Sequence, residues 1–325
     1  MSTNRCSIMI YKQYMSQEKV KTKHGNIELP AFMPDATYGS IKAISFPDAA
    51  KAGVKEIVTT TLHIEQKVGS KFIKDFGGVH KFFNWDRPIL TDSGGWQVFS
   101  LINAQKKSHT SQNMITELGC SFINPDTGEH SLLTPESSQV IQYNLGSDIV
   151  TVLDDPIIGN ASLKARTESV RLNTLWAARS KKKFLELHNI TSETFDAYTS
   201  LSEVTRPLLG CVIQGADDFK LRKQSAEELI EIGFDIYNFG GIPLMSDVTW
   251  KTNHPTGFYK EMLQYVCDLI PKNKFRYAMG VGQPEDIAFC VEAGWQLFDT
   301  VLPTRNARHG YLYVSEGNGD VSKSY

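Results

Sequence analysis

Eight short apolar runs, each followed by an amphipathic stretch, constrain this chain more than any other feature of it. They fall at 27–34, 54–60, 87–92, 147–155, 206–215, 235–241, 276–282 and 297–303. The runs are continuous rather than alternating, as strands covered on both faces must be. Helical periodicity fits 41–53, 65–76, 135–145, 161–190, 217–233, 256–270 and 284–294. Thr134-Pro135-Glu136 and Gln283-Pro284-Glu285-Asp286 are helix starts, with proline at the first helical position. Strand and helix alternating in this way predict the α/β class and a (β/α)8 TIM barrel. A doubly wound sheet would alternate likewise, but it usually opens on a glycine fingerprint, and none is present. Residues 93–134, with the turn-rich Asn124-Pro125-Asp126-Thr127-Gly128, predict a small β insertion after the third strand. Residues 242–256 predict an irregular loop. With no repeat, low-complexity tract or linker, 1–325 is expected to form one catalytic domain.

Composition narrows the function classes. At 325 residues and 41% hydrophobic, the chain can bury one large core or two smaller ones, and α/β barrels commonly run this long as one domain. A net charge of −2 excludes a generally basic nucleic-acid binder, so a polyanion would need a local basic patch. The five cysteines Cys6, Cys120, Cys211, Cys267 and Cys290 are scattered, which predicts reduced thiols in a cytoplasmic protein and no disulfide framework or metal cage. The first residues have no apolar core of a signal peptide, and no run approaches the ~20 apolar residues of a membrane helix.

Polar residues and glycines recur in phase at the ends of the strands: Asp92-Ser93-Gly94-Gly95, Asp154-Asp155, Gln214-Gly215, Gly240-Gly241 and Gly280-Val281-Gly282, with Asp299 early in the last run. One such aspartate is usually a helix cap or a loop hydrogen bond. Five features in phase place a site at the mouth where barrel enzymes build theirs. Two carboxylates there suit chemistry at a glycosidic carbon, one attacking and the other moving a proton. The glycine pairs leave room for a flat ring against the backbone. Gln214 offers a donor and an acceptor on one plane, suited to a base edge. Taken alone, the residues specify a barrel enzyme with two-carboxylate chemistry and a planar ligand.

Three long segments go further. Leu90-Thr-Asp-Ser-Gly-Gly-Trp-Gln-Val-Phe-Ser100, Tyr277-Ala-Met-Gly-Val-Gly-Gln-Pro-Glu-Asp286 and Phe298-Asp-Thr-Val-Leu-Pro-Thr-Arg-Asn-Ala-Arg-His-Gly310 resemble the signatures of the tRNA-guanine transglycosylases. Weaker echoes are Leu145 to Val150, Val212 to Gly215 and Gly240-Gly241, and together they run in family order from about 27 to 314. The resemblance implies an enzyme that exchanges a guanine in tRNA for a 7-deazaguanine base without cutting the backbone. It implies Asp299 as the nucleophile on ribose C1′ and Asp92 as the proton acceptor that activates the incoming base. It implies Asp154, Gln214 and Gly241 as base-edge readers, Gly240 as a further substrate-binding residue, and Ser93, Gly94, Gly95 and Trp96 as lining, with Trp96 a stacking face. Met279 matches the apolar side of the base slot. Gly280, Val281, Gly282, Gln283, Pro284, Glu285 and Asp286, with Thr304, Arg305, Asn306, Ala307 and Arg308, match RNA-contacting segments. The two arginines suit phosphate and base contacts, and the target nucleotide must be flipped out or presented in a loop. The tRNA enzymes commonly pair as homodimers.

The chain departs from the family pattern in three places. The family ends in a C-terminal zinc subdomain with closely spaced cysteines and a histidine. That subdomain is expected to be absent from this chain, which stops at Tyr325, either through truncation or through loss. Cys267 and Cys290 stand far apart on predicted helices, so no zinc or other cofactor is expected in this chain. Asp154-Asp155-Pro156 replaces the usual bacterial Asp-Glu-Cys, and Gly240-Gly241-Ile-Pro-Leu-Met245 lacks the glycine-glutamate pair that usually follows. Base exchange on DNA, or a non-catalytic RNA-binding partner subunit, are the alternative functions; the presence of both Asp92 and Asp299 argues against the second. Arg179 to Lys183 is read as a solvated basic run, His63 as equally a mouth residue or a satisfied histidine, and His309 as an exposed loop residue.

Overall fold

All eight apolar runs contribute a strand to one parallel barrel. The computed structural model describes residues 19–106, 114–157, 161–196, 203–241, 259–315 and 321–324. The strands are β1 Lys19–Thr22, β2 Gly25–Glu28, β3 Ala31–Pro34, β4 Ile57–Thr59, β5 Ile89–Thr91, β6 Cys120–Ile123, β7 His130–Leu133, β8 Ile149–Thr151, β9 Leu208–Ile213, β10 Ile236–Phe239, β11 Phe275–Ala278, β12 Leu297–Thr300, β13 Leu312–Ser315 and β14 Val321–Ser324. The helices are α1 Phe46–Lys51, α2 Thr61–Lys67, α3 Ser70–Phe76, α4 Val79–Phe83, α5 Gly95–Lys106, α6 Pro135–Leu145, α7 Leu163–His188, α8 Ser192–Asp196, α9 Phe219–Ile232, α10 Lys260–Leu269, α11 Pro284–Ala293 and α12 Leu302–Arg308.

The barrel order is β3-β12-β11-β10-β9-β8-β5-β4, with parallel pairing between neighbours. It closes where Asp35 bridges Val58 and the Ala36 N–H donates to the Val58 carbonyl at 2.7 Å. Strands β4, β5, β8, β9, β10 and β11 are buried at every position, which is why their sequences run apolar without alternation. Inside, Met33, Val58, Leu90, Ile149, Leu208, Ile236, Tyr277 and Leu297 fill the lumen. Val20 and Ile27 of the β1–β2 hairpin join that cluster and plug the amino end. Two further clusters pack the helices against the outside of the sheet.

The helix starts appear where the sequence placed them. Thr134 and Ser137 form a reciprocal capping box ahead of Pro135, and Pro284 opens α11 behind Gln283. Four boundaries are corrected. The run 27–34 divides between the hairpin and β3, because its first residues pair antiparallel with β1. The stretch 65–76 is two helices that divide at Gly69, a left-handed glycine serving as N-cap of α3. The insertion does contain a β hairpin, β6–β7, but its first part is helix α5, whose apolar side chains Val98 and Ile102 are fully buried. A last helix, α12, follows β12 where no helix was expected. The 242–256 loop and Cys6 lie outside the described residues.

Candidate active site

Because the strands run parallel, their carboxyl ends share one rim, and that rim carries Asp92, Asp154, Gln214 and Asp299. Asp92 follows β5, and the sharp turn after it is made possible by Gly94 at φ 84°, a conformation that favours glycine. The turn folds back so that Asp92 Oδ1 accepts the Thr61 and Gly94 N–H groups, both at 3.1 Å, while Oδ2 accepts Gln97 Nε2 at 2.8 Å. Burial still dominates and pushes the Asp92 carboxyl up to about 7, with Asp299 adding to the shift. Asp299 sits on β12, two strands of the barrel circumference from β4 and beside β3. Its Oδ1 accepts the Gly280 N–H at 3.0 Å, and the Tyr277 hydroxyl donates to it from below. Burial raises its carboxyl as well, less because of those two donors.

A second group lies beside this pair. Asp154, 8% exposed after β8, accepts Ser93 Oγ at 3.3 Å and Gln214 Nε2 at 2.7 Å, and burial pushes it up to about 6. Gln214 is fully buried, and its Oε1 has no hydrogen-bond partner. The two glycine pairs are required by the packing. A Cβ at Gly95 would stand 2.8 Å from the Asp154 carbonyl, and one at Gly240 would stand 2.5 Å from Gln214 Nε2. Gly241, at φ 81°, lies against the same amide.

The remaining expected residues are placed as follows. Trp96 is 43% exposed at the start of α5, its ring tilted 32° against Phe99. Met279 packs on the top of the lumen cluster. Gly280 is exposed, but Val281 and Gly282 are buried, Gly282 so tightly that a Cβ would fall 1.7 Å from Thr300 Cγ2. These two shape the segment and present no side chain to a ligand. Gln283 accepts the Tyr313 hydroxyl at 2.9 Å, which in turn accepts Asn306 Nδ2 at 2.9 Å, so the two RNA-contacting segments of the resemblance are tied to each other. Pro284, Glu285 and Asp286 form the first turn of α11. Arg305, Ala307 and Arg308 are exposed on α12, while Thr304 turns back to donate to the Val301 carbonyl at 3.1 Å.

Four side chains of the mouth were missed in the sequence. Asp35 follows β3, one residue beyond the apolar run, Thr60 follows β4, and Tyr277 is a hydroxyl within an apolar strand. The in-phase rule that found Asp92 also marks Asp35 and Thr60 once the strand ends are drawn correctly. Arg222 had no local signal: it is 1% exposed on α9, lies over Phe239 with Cζ 4.2 Å from the ring centroid, and donates to the Ile213, Ala216 and Gly240 carbonyls. Of the residues weighed as bland, His63 stacks on Tyr38 at 4.8 Å and His309 is exposed. The Arg179–Lys183 run is less solvated than expected: Arg179 is forked on Glu136, and buried Lys181 donates to the Ile232 carbonyl at 2.6 Å.

A family model described as queuine tRNA-ribosyltransferase matches residues 17–325. The chain belongs to the queuine tRNA-ribosyltransferase family. A relative of that description from Blochmanniella floridana is 40% identical over 299 residues, covering 92% of this chain and 71% of the relative. Another, from Pasteurella multocida (strain Pm70), is 40% identical over 291 residues, covering 90% and 67%. The three long segments that carry the queuine tRNA-ribosyltransferase resemblance therefore lie in the matched region and converge on one rim. The zinc set implied by that resemblance does not fit the described residues. Cys120, Cys211, Cys267 and Cys290 are buried free thiols; Cys267 donates to the Ala293 carbonyl at 3.1 Å, and burial pushes its thiol up to about 12. Among the described residues one trio has ligand atoms close enough for a metal, His24, His80 and Asp148, and it contains no cysteine. Among them, too, no helix is long and apolar enough to cross a membrane.

Proposed function

We propose that this protein exchanges a guanine in tRNA for a 7-deazaguanine base by double displacement, as a tRNA-guanosine transglycosylase. The observation that carries the proposal is the pairing of two buried carboxylates, Asp92 and Asp299, beside a polar group made by Asp154, Gln214 and Gly240-Gly241. Asp299 attacks C1′ of the ribose and forms a glycosyl ester as the bond to guanine breaks. Asp92, held up to about 7, is substantially protonated at neutral pH and can supply the proton that leaves with the guanine. As a carboxylate it then takes a proton from the incoming base, whose nitrogen attacks C1′ and releases Asp299. Two inversions leave the sugar with its original configuration. Asp154 accepts the N–H groups of a guanine-type edge, and the unpartnered Gln214 Oε1 is an acceptor for another donor. Arg305 and Arg308 contact RNA phosphates around the flipped nucleotide.

We place the reaction in the cytoplasm, where free thiols stay reduced. Homodimer formation is supported by the exposed aromatic cluster of Phe72, Phe76 and half-buried Phe82, with centroids 5.6 to 6.4 Å apart. The decisive experiment incubates purified protein with a guanine-containing tRNA stem-loop, labelled guanine and, separately, the same sequence as DNA. Label is expected to enter the RNA, and a denaturing gel should show a covalent adduct that Asp299→Asn cannot form. An adduct persisting in Asp299→Asn refutes the assignment; incorporation only into DNA refutes the tRNA reading.

A further inference from the structure

Beyond Asp92, Asp154 and Asp299, the mouth holds a carboxylate, Asp35, that the exchange reaction as described leaves without a task. Asp35 extends the column Ala31–Met33, whose side chains line the lumen, and so continues on the inward side of β3. Strand β3 pairs with β12, Met33 opposite Asp299 and Pro34 opposite Thr300, which sets Asp35 one step above Asp299 on the adjacent strand. The two carboxylates are close enough to repel, and both act on the Tyr277 hydroxyl beneath them. Asp35 accepts the Thr37 hydroxyl and backbone N–H, is drawn by the positive charges of His63 and Arg308, and has lone pairs to spare.

On the other flank, Val58 faces the lumen, and Thr60 lies two residues further along extended backbone at φ −98° and ψ 140°. Since β4 lies between β3 and β5 around the closed barrel, Thr60 stands between Asp35 and Asp92. It is 3% exposed, yet its Oγ1 has no hydrogen-bond partner. A buried hydroxyl left unpaired is costly, so Thr60 Oγ1 has an unmet hydrogen bond to offer.

We propose that Asp35 and Thr60 form a subsite for the 2′-hydroxyl of the nucleotide being exchanged, and that this subsite makes the protein select ribose over deoxyribose. The inference rests on the exchange reaction proposed above. With Asp299 attacking C1′, we set the group on the neighbouring carbon toward β3, the side of β12 on which Asp35 and Thr60 lie. In RNA that group is a hydroxyl, which donates to the Asp35 carboxylate and accepts from Thr60 Oγ. In DNA it is a hydrogen: Thr60 Oγ1 stays unpaired and Asp35 keeps only its Thr37 contacts.

The test uses one RNA hairpin carrying the target guanosine and a second identical to it except for a single 2′-deoxyguanosine at that position. Binding is followed by fluorescence anisotropy and exchange by labelled guanine. The unaltered protein should prefer the all-ribose hairpin by roughly ten- to a hundredfold, the worth of one hydrogen bond to a charged group. Asp35→Ala should bring the ratio close to one, the isosteric Asp35→Asn should leave part of it, and Thr60→Val should reduce it. A role in folding alone would lower both substrates together and keep the ratio, and that result overturns the proposal. Equal use of the two hairpins by the unaltered protein overturns it as well. If no label is exchanged but the binding preference exists and needs Asp35, the subsite stands and the exchange reading falls. Failure to bind either hairpin overturns both.

Discussion

Replacing Asp92 by asparagine should make the protein more stable and nearly inactive, and the size of the gain can be worked from its surroundings. Asparagine keeps Oδ1 and with it the Thr61 and Gly94 N–H donors. Its Nδ2 replaces Oδ2, which now accepts Gln97 Nε2. Gln97 Oε1 has no partner, so turning that amide over restores the contact with donor and acceptor exchanged. No hydrogen bond is lost, and the charge is gone. Burial first, and Asp299 in addition, lifts the Asp92 carboxyl from an ordinary 3.8 to about 7. Because the folded value is the higher one, stability is full below the ordinary value and is lost as pH rises toward 7. Three pH units correspond to about 4 kcal/mol, which screening through the open mouth reduces to about 2–4 kcal/mol. Asparagine carries no such loss. Urea denaturation near pH 8 should therefore show the variant about 2–4 kcal/mol more stable, and near pH 5 the advantage should shrink to about 1 kcal/mol. Exchange should fall by ~10²–10⁴-fold at the same time. A variant less stable near pH 8, or an advantage that ignores pH, refutes the reasoning.

Gly240→Ala forces Gln214 and Val212 apart from a Cβ at 2.5 Å, so KM for the incoming base should rise at least tenfold while circular dichroism is unchanged; an unaltered KM means that the amide does not contact the base. Arg222→Met removes the donor to the Gly240 carbonyl and should likewise raise KM more than it lowers kcat, where a purely structural arginine would lower only the yield of folded protein. Asp148 accepts His24 Nδ1 at 2.8 Å, His80 Nε2 at 2.9 Å and the Ile89 N–H at 3.0 Å, pinning the hairpin plug at the amino end. Against the upward push of burial, those donors hold its carboxyl below the ordinary range, so its contribution is present above that range and is lost in acid. Asp148→Ala should cost about 3 kcal/mol or more in urea denaturation and leave kcat of the folded protein unchanged; a fall in kcat would couple the two ends of the barrel.

Much of this protein was determined by local pattern. Continuous apolar runs of strand length, spaced by amphipathic helices, admit few architectures, and the barrel follows because strands buried on both faces need helices outside and side chains inside. The polar residues that interrupt those runs in phase, Asp92, Asp154, Gln214 and Asp299, were legible for the same reason: an apolar strand has no local use for a carboxylate at its end. Tertiary structure decided the rest, because it depends on which strands become neighbours. Only closure of β3 onto β4 brings Asp35 and Thr60 to the nucleophile's side, though they stand far from Asp299 in the chain. Arg222 lies in the middle of an ordinary amphipathic helix, and its role arises from three carbonyls supplied by two other segments. Val281 and Gly282 show the converse. Their motif pointed to RNA, but Val281 is buried in the apolar cluster outside the sheet and Gly282 lies hard against Thr300, placements that sequence spacing does not record.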